Sequence, residues 1–436
     1  MKIRGLVIAV LVCGGLSGFL YWSEHRKAAP DSKVSADTPP VILKLDQGSI
    51  HQLEIKKKDA SAILLHKASS GSWEISQPKA LAADQDAVSG VLSTLSSLNS
   101  SRLVEDQATD LKAFGLAQPA LEIDLTEKDS QSKRLLLGDD TPTSGGVYAM
   151  VAGDPRVFTV FSYTKTALDK SLNDLRDKRL LNISADKISR IELLRKNQDM
   201  EFGRDQDEWQ ILKPKPLRAD SSLVGDLAQK LADSRMDLSG TEDAAAAYAH
   251  GTTVATAKVT GPSGTEELQL RKAKDTYYAK SSIVDGAYKV ASDLGQSLDK
   301  GLDDFRNKKL FDFGYNDPNK IEMHDGAKAY FLTRSGQDWW SNGKKMDAES
   351  ALSFVSQLRD IAATKFPESG FSSPSLELIV SSNDGKRVEK VSVAKNGQDY
   401  VAKRENEPAL YELDASAIEG LQKAAEAIKP EAPPKK

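Results

Sequence analysis

Short runs of hydrophobic residues that partly alternate with polar ones fill much of the chain after residue 40. They are rich in Ile, Leu and Phe, which is typical of strands with one buried face. A first group comprises residues 50–55, 62–65, 188–194 and 329–333. A second group comprises residues 133–137, 148–151 and 157–160, separated by Gly-Asp, Thr-Pro and Gly-Asp-Pro turns. Short turns join antiparallel neighbours, so the pattern predicts antiparallel sheets.

Other segments space their large apolar residues three and four positions apart, which predicts helices with one buried face. Each begins just after an aspartate, namely Asp84, Asp220 or Asp347. The predicted buried stripes are Val88, Val91, Leu92, Leu95 and Leu98; Leu223, Leu227 and Leu231; and Leu352, Val355 and Leu358. A second helix is predicted to close each group of strands, at residues 166–175, 297–305 and 415–428.

Two blocks of sequence occur twice in the same order. Residues 73–84 read WEISQPKALAAD and residues 209–220 read WQILKPKPLRAD, with seven identities in twelve positions. Residues 169–183 read DKSLNDLRDKRLLNI and residues 299–313 read DKGLDDFRNKKLFDF, with seven identities in fifteen. The offsets are 136 and 130 residues, which indicates a duplicated unit.

A third, more diverged copy is predicted after Asn316. Trp339 and Trp340 stand where the earlier tryptophans stood, and GLAQPALEIDL at residues 115–125 is echoed by GFSSPSLELIV at residues 370–380. We therefore predict an α+β fold of three tandem diverged repeats, each a mainly antiparallel sheet with two helices, after an N-terminal transmembrane helix. The predicted repeats span residues 41–182, 183–313 and 314–430.

The first 26 residues predict a membrane anchor. Gly5 to Trp22 is an uncharged run of eighteen residues, preceded by Lys2 and Arg4. A cleaved signal peptide has a shorter apolar region, and this run continues into aromatic residues that suit a bilayer interface. We therefore expect residues 5–22 to form an uncleaved transmembrane helix. The flanking charges give only a small preference for a cytoplasmic N-terminus.

Cys13, the one cysteine of the chain, lies inside this apolar run. Lipid attachment there would need a small preceding residue, and Val12 occupies that position, so we interpret Cys13 as a membrane-buried thiol. Residues 27–40 contain almost no large apolar residue, which predicts a flexible linker. Residues 431–436, rich in proline and lysine, predict a disordered tail.

Composition and motifs narrow the chemistry. With 59 basic and 63 acidic residues, the chain lacks the charge of a nucleic-acid binder. Five histidines and one cysteine provide little material for metal sites, and residues 138–146 lack the lysine of a phosphate-binding loop. Asp139, Asp140 and Asp154 could gather around calcium but lack the alternating ligand loop. We therefore predict no catalytic, cofactor-binding or metal-binding residue, no cofactor and no enzymatic activity.

The recurring residues have two interpretations each. Trp73 and Trp209 are either rings buried between sheet and helix or stacking platforms for a ligand. The three aspartates stand where a side chain can cap a helix. Two cation groups follow the closing helices, where they would meet the negative helix end or, alternatively, hold an anionic ligand. These cations are Arg176, Lys178 and Arg179, and Arg306, Lys308 and Lys309. We favour the folding interpretation throughout.

Several of these blocks together resemble the bacterial family of domains of unknown function numbered 4340 (DUF4340). In the first copy they are residues 73–84, 115–119, 135–148 and 175–181. The second copy departs from the family pattern at residues 248–251, and the third lacks the LRDKR block. The resemblance implies an envelope protein with an accessory role beside ABC-type transport systems of the gliding-motility kind. It transfers no catalytic residue.

Two classes of function follow. The first is a membrane-anchored extracytoplasmic interaction or scaffold protein, an accessory component of an envelope ABC-type transport system. It would pass once through the bacterial inner membrane at residues 5–22, keep its main body in the periplasm and bind no nucleic acid. The alternative is a periplasmic cell-wall glycan-binding protein or hydrolase. Burial of Trp73, Trp209 and Trp339 discriminates between them, because a stacking platform must be partly exposed.

Overall fold

The computed structural model describes residues 41–128, 131–142, 145–196, 198–206, 208–240, 243–314 and 318–432. The predicted anchor at residues 1–26 and the predicted linker at residues 27–40 lie outside these ranges. Among the described residues, no helix is long and apolar enough to cross a membrane.

Three antiparallel sheets form the framework of an α+β fold, as predicted. The strands of the first sheet are β1 (Ile50–Lys57), β2 (Ile63–Lys67), β3 (Trp73–Gln77), β4 (Leu81–Ala82), β5 (Arg102–Glu105), β6 (Leu121–Glu127), β7 (Ser132–Asp140), β8 (Gly146–Val151) and β9 (Val157–Phe161). Those of the second are β10 (Arg190–Leu194), β11 (Met200–Asp205), β12 (Glu208–Lys213), β13 (Leu217–Arg218), β14 (Thr252–Gly261), β15 (Gly264–Ala273), β16 (Thr276–Ser281) and β17 (Tyr288–Val290). Those of the third are β18 (Lys320–Asp325), β19 (Lys328–Ser335), β20 (Asp338–Ser341), β21 (Lys344–Lys345), β22 (Leu376–Ser382), β23 (Arg387–Asn396), β24 (Asp399–Arg404) and β25 (Leu410–Leu413).

The three sheets share one strand order. In the second sheet it is β13-β12-β11-β10-β14-β15-β16-β17, and the third sheet repeats it from β21 to β25. The first sheet differs by one extra edge strand, β5, which pairs with β9. Each sheet therefore consists of two meanders joined at its centre, and the strand predictions are confirmed.

The helices differ in number from the prediction. In the described part of the chain they are α1 (Gln85–Ser96), α2 (Ser162–Leu168), α3 (Leu172–Leu175), α4 (Ser221–Ala232), α5 (Ala244–His250), α6 (Ser292–Leu298), α7 (Leu302–Phe305), α8 (Ala348–Asp360) and α9 (Ala415–Glu426). Among the described residues, the prediction of two helices per copy is confirmed only for the third copy. The second copy gains α5, whose Tyr248 packs with Tyr278 and Ala287.

The closing helix of the first two copies is broken in two. The N–H of Ser171 donates to Asp174 Oδ2, and the N–H of Gly301 donates to Asp304 Oδ2, each at 2.8 Å. This local contact starts a new helix instead of continuing the previous one. The predicted single helices at residues 166–175 and 297–305 were therefore wrong, because a short-range carboxylate bond outweighs the apolar periodicity.

The long helices α1, α4 and α8 bury one apolar face against their sheets. The first stripe is confirmed in full, since Val88, Val91, Leu92, Leu95 and Leu98 are all buried. In α8 the buried residues are Ala351, Phe354, Val355 and Leu358, whereas Leu352 is 47% exposed. Leu352 was wrongly assigned because it lies one position, about 100° around the helix, from the buried stripe.

In the first sheet, the segment before β6 crosses close over β7. A Cβ added at Gly138 would lie 2.1 Å from the carbonyl oxygen of Phe114, so no other residue fits there. Gly115 follows the 3-10 turn Leu111–Phe114 with φ +68°, and Leu116 is buried under the crossing. The glycines of the GLAQP and LLLGD segments thus have a packing explanation.

The described part of the chain forms two compact units, divided between Asp177 and Lys178. The first unit has its own core beneath the first sheet. In the second unit, the second and third sheets share one continuous core that includes Leu180, Trp209, Phe311 and Trp339. The boundary falls before the predicted limit at residue 182, because Leu180 and Leu181 are buried with the second sheet.

The backbone of the C-terminal segment is hydrogen-bonded as far as Glu431, the first residue of the predicted disordered tail. The N–H of Glu431 donates to the carbonyl oxygen of Lys345 at 3.0 Å, and its carboxylate lies 3.1 Å from Lys345 Nζ. Pro430 forms a bridge with Met346. The predicted disorder was therefore wrong at Glu431, while residues 433–436 lie outside the described ranges.

Candidate functional site

The recurring tryptophans are core residues. Trp73, Trp209 and Trp339 are 7%, 4% and 2% exposed. The N–H of Trp73 donates to Gln85 Oε1 at 2.8 Å, and the N–H of Trp209 donates to Ser221 Oγ at 2.9 Å, so the next helix fixes each strand. Burial leaves no ring face for a ligand, which confirms the folding interpretation of these residues.

The recurring aspartates cap helices. Asp84 Oδ1 accepts the N–H groups of Asp86 and Ala87, each at 3.1 Å. Asp220 does the same for α4, and Asp347 accepts the N–H of Ser350 at 3.0 Å, a bond that lowers the pKa of the Asp347 carboxyl. The capping interpretation is confirmed for all three.

The three candidate calcium ligands do not come together. Asp154 binds Arg156, with Oδ2 2.6 Å from Nη2, and this bond lowers the pKa of the Asp154 carboxyl. Asp140 lies 3.3 Å from Lys165 Nζ. Within the described ranges, no group of three or more His, Cys, Asp or Glu side chains could hold a metal ion.

Four of the recurring cations belong to extended segments, residues 178–182 and 308–312, which we call the connectors: Lys178, Arg179, Lys308 and Lys309. Helices α3 and α7 end at Leu175 and Phe305, and the next residues, Arg176 and Arg306, have extended backbone. Arg176 and Arg306 cap the C-terminal ends of these helices, whereas Lys178, Arg179, Lys308 and Lys309 lie beyond them. Hydrogen bonds to neighbouring strands and loops hold the chain outside the helix there.

Each connector pairs with the loop that follows the long helix of the next sheet. The N–H of Leu180 donates to the carbonyl of Ser234 at 2.9 Å, and the N–H of Leu310 donates to that of Ile361 at 3.2 Å. The carbonyl of Lys308 accepts the N–H of Ala363 at 2.7 Å. The repeated block is thus a docking segment that fixes one sheet to the elements around it.

The second connector carries a set of paired charges, which we call the arginine network: Arg218, Asp312, Glu389, Arg404, Glu407 and Tyr411. Arg218 binds Asp312 and donates to the carbonyl of Lys309 at 2.8 Å. Arg404 donates to Glu407 Oε1 at 2.6 Å, to Glu389 Oε1 at 3.0 Å and to the carbonyl of Leu310. Each charge therefore has an opposite partner, as a shielded ion pair requires.

Burial and the neighbouring charges set the protonation of this network. Burial favours the neutral form of Arg218, but Asp312, Tyr411 and Glu407 outweigh it and raise the pKa of the guanidinium. The Tyr411 hydroxyl donates to Glu407 Oε2 at 2.8 Å. Burial and then Glu407 raise the pKa of Tyr411, while Arg218 opposes them. Arg218 stays charged and Tyr411 stays neutral at physiological pH.

An open cleft of about 890 Å³ lies beside the network, between the second and third sheets. Its charged lining includes Arg218, Arg404 and Glu407, together with the exposed Lys308 and Lys309. The volume is in the range of ligand sites, but the shape is open and the network charges already bind one another. The arrangement suits a polar protein surface or an extended acidic segment.

The sequence did not point to the arginine network. Its members lie far apart in the chain, and two of them stand where the copies differ, since Arg218 matches Ala82 and Arg404 matches Ser281. Glu389 does have a counterpart in Glu266, because Val380 pairs with Glu389 as Val259 pairs with Glu266. That matched glutamate was the available signal.

A search of curated proteins finds no match to the sequence of this chain. Two crystal structures of the DNA polymerase sliding clamp from Pseudomonas aeruginosa, one with ligand, align at 7% and 8% identity over 86% of this chain and 93% of theirs. Both alignments have a TM-score of 0.17, which is too low to support an argument.

The family model described as "Domain of unknown function (DUF4340)" matches twice, at residues 73–252 and at residues 209–375. The two matches begin at Trp73 and Trp209, the first residues of the repeated block, and together they cover more than half of the chain. The chain belongs to the DUF4340 family.

Proposed function

We propose that this chain is a membrane-anchored extracytoplasmic interaction protein, an accessory component of an envelope transport system of the ABC type. One observation carries the proposal: the tryptophans and aspartates that recur among the copies are used inside the fold. The tryptophans are buried and the aspartates cap helices. A stacking or catalytic site built on these residues would instead leave them open to solvent.

The location in the proposal rests on the sequence. Residues 5–22 are apolar and uncharged over a length that spans a bilayer, and residues 27–40 have the composition of a linker. We propose that the helix lies in the bacterial inner membrane and that the sheets lie in the periplasm.

The partner is proposed to bind at the cleft of the second unit. Lys308 and Lys309 are exposed at its edge, and their ammonium groups can attract an acidic segment of a transporter subunit. The glycan alternative has less support, because the exposed Trp340 has no aromatic counterpart. Gln210 and Glu74 follow the buried tryptophans in the other copies.

Affinity purification from detergent-solubilised membranes tests this function. Wild-type protein should recover one envelope transporter subunit, and the double variant Lys308→Glu and Lys309→Glu should recover at least about tenfold less of it, since charge reversal at a contact costs over 1 kcal/mol. The control with the same charge change, Lys395→Glu and Lys423→Glu, should recover the wild-type amount. Recovery of no membrane partner by wild type contradicts the proposal.

A further inference from the structure

The first sheet exposes a pair of aromatic side chains at the end of β9. Phe161 is 49% exposed and Tyr163 is 69% exposed. Their rings stack on each other, with centroids 5.3 Å apart and planes 13° from parallel. Two large rings held together in water present apolar area that the core of the unit does not use.

The other two copies have no aromatic residue at these positions. The residue just before the helix is Phe161 in the first copy, Ala291 in the second and Asp414 in the third. Two residues later the chain has Tyr163, Asp293 and Ser416. The aromatic pair therefore serves no folding role that the copies share.

The pair lies close to the place where the chain enters the first unit. Val41 bridges Asn99, and the N–H of Ser101 donates to the carbonyl of Thr159 at 2.8 Å. Because β5 and β9 run antiparallel, Asn99, two residues before Ser101, and Phe161, two residues after Thr159, lie toward the same end of this strand pair. Val41 therefore enters at the end of the sheet where the aromatic pair stands.

The sequence before Val41 brings the predicted bilayer near this end. Residues 23–40 lie between the apolar run and Val41. A flexible chain of that length spans about 25 Å on average, and about 60 Å when fully extended. The predicted linker would give a millimolar effective concentration, so a weak contact with the membrane is enough to be populated.

We propose that Phe161 and Tyr163 dock the first unit on the lipid bilayer, at the interface between head groups and acyl chains. The inference rests on the membrane anchoring in the proposed function and adds a second point of contact. Aromatic rings favour this interface because they combine an apolar body with a polar edge. Lys165, on the helix that carries Tyr163, is paired with Asp140, so the contact does not require anionic lipid.

A fluorescent label at residue 162, which lies between Phe161 and Tyr163 in the sequence, tests the contact. The full chain with Cys13→Ser and Ser162→Cys is labelled with the environment-sensitive dye NBD and reconstituted in nanodiscs of POPC. The matched control carries the label at Ser292→Cys, the first residue of α6, which is also exposed and follows the last strand of the second sheet. We expect a blue-shifted emission that brominated acyl chains quench at residue 162, and a water-like emission without quenching at residue 292.

Replacing both Phe161 and Tyr163 with serine in the Ser162→Cys protein should return the label to a water-like emission. The thermal unfolding midpoint should not change, because both rings are exposed. High salt should leave the quenching at residue 162 in place.

Each other outcome overturns the inference. A water-like label at residue 162 in protein that stays with the nanodisc rejects the docking contact but leaves the proposed anchoring intact. Protein that does not remain with the nanodisc rejects the anchoring as well. A blue shift without bromine quenching means that the rings pack against a second copy, and equal quenching at residue 292 means that the contact is not specific to the pair.

Discussion

The two connectors of the second unit dock with the same backbone geometry but with different side chains. The N–H of Asn182 donates to Glu266 at 2.7 Å, and the N–H of Asp312 donates to Glu389 at 3.1 Å. Glu266 is half-buried, whereas the side chain of Glu389 is only 4% exposed. The same hydrogen bond is therefore partly exposed to solvent at the first connector and shielded from solvent at the second.

The second difference concerns the carbonyl two residues earlier. The Ser281 hydroxyl donates to the carbonyl of Leu180, while the Arg404 guanidinium donates to that of Leu310. Ser281 and Arg404 occupy matching positions, opposite Leu268 and Val391. Duplication therefore kept the backbone docking and changed its side chains. Arg404, at the end of β24, lines the cleft between the second and third sheets.

The largest expected effect comes from the two matched glutamates. Glu389→Ala leaves the guanidinium of Arg404 and the N–H of Asp312 short of a partner in a shielded site, so we expect a loss of about 3–5 kcal/mol in the free energy of unfolding. Glu266→Ala removes one half-exposed bond and should cost about 1 kcal/mol. Urea unfolding followed by tryptophan fluorescence measures both. Equal losses would show that shielding does not distinguish the connectors.

Arg404→Ser gives the third sheet the residue that the second sheet has. It removes bonds to Glu389, Glu407 and the Leu310 carbonyl, and we expect a loss of about 2–4 kcal/mol. Combining it with Glu389→Ala should cost less than the two losses together, because each change already abolishes the same ion pair. A double-mutant cycle in urea checks this, and strictly additive losses would contradict the paired network.

The smallest expected effect lies at the outer edges of the two sheets. Each edge strand there forms an ion pair with a preceding segment, and the acidic and basic partners are swapped between the two sheets. Asp237 binds Lys289 at 2.9 Å in the second sheet, whereas Lys365 binds Glu412 at 3.2 Å in the third. The Ser239 hydroxyl and then Lys289 lower the pKa of Asp237 to about 2. Its contribution is therefore present above the unfolded value of 3.8 and lost as pH falls through 2.

Because this edge pair is partly exposed, we expect a loss of less than about 1 kcal/mol on acidification. Asp237→Asn should remove that part of the pH dependence, and Asp275→Asn in an exposed turn should retain it. Unfolding midpoints measured above and below the pKa of Asp237 show whether the ion pair causes this part of the pH dependence. An unchanged pH profile in Asp237→Asn would exclude the pair as its source.

Most of the fold could be predicted from local patterns in the sequence. Alternating apolar residues predicted the strands, and the repeated blocks favoured a core role for the tryptophans and a capping role for the aspartates over a role as ligands. The broken closing helices come from a local carboxylate bond. The failures at the connectors and the arginine network have another cause, which is contact between residues distant in sequence. The polar connectors look like the ends of helices until their bonds to distant loops are known, and the arginine network joins Arg218 to residues about ninety to two hundred positions away.

Amide hydrogen exchange of residues 178–182 and 308–312 tests most directly whether the recurring block docks the connectors. The N–H groups of Leu180, Asn182, Leu310 and Asp312 should exchange only with the unfolding of the second unit, because they are bonded to distant elements. Glu389→Ala should accelerate exchange in residues 308–312 and leave residues 178–182 protected. If either segment of the wild-type protein exchanges as fast as the exposed turn at residues 383–386, the connectors are not docked and the folding role assigned to the recurring block is wrong.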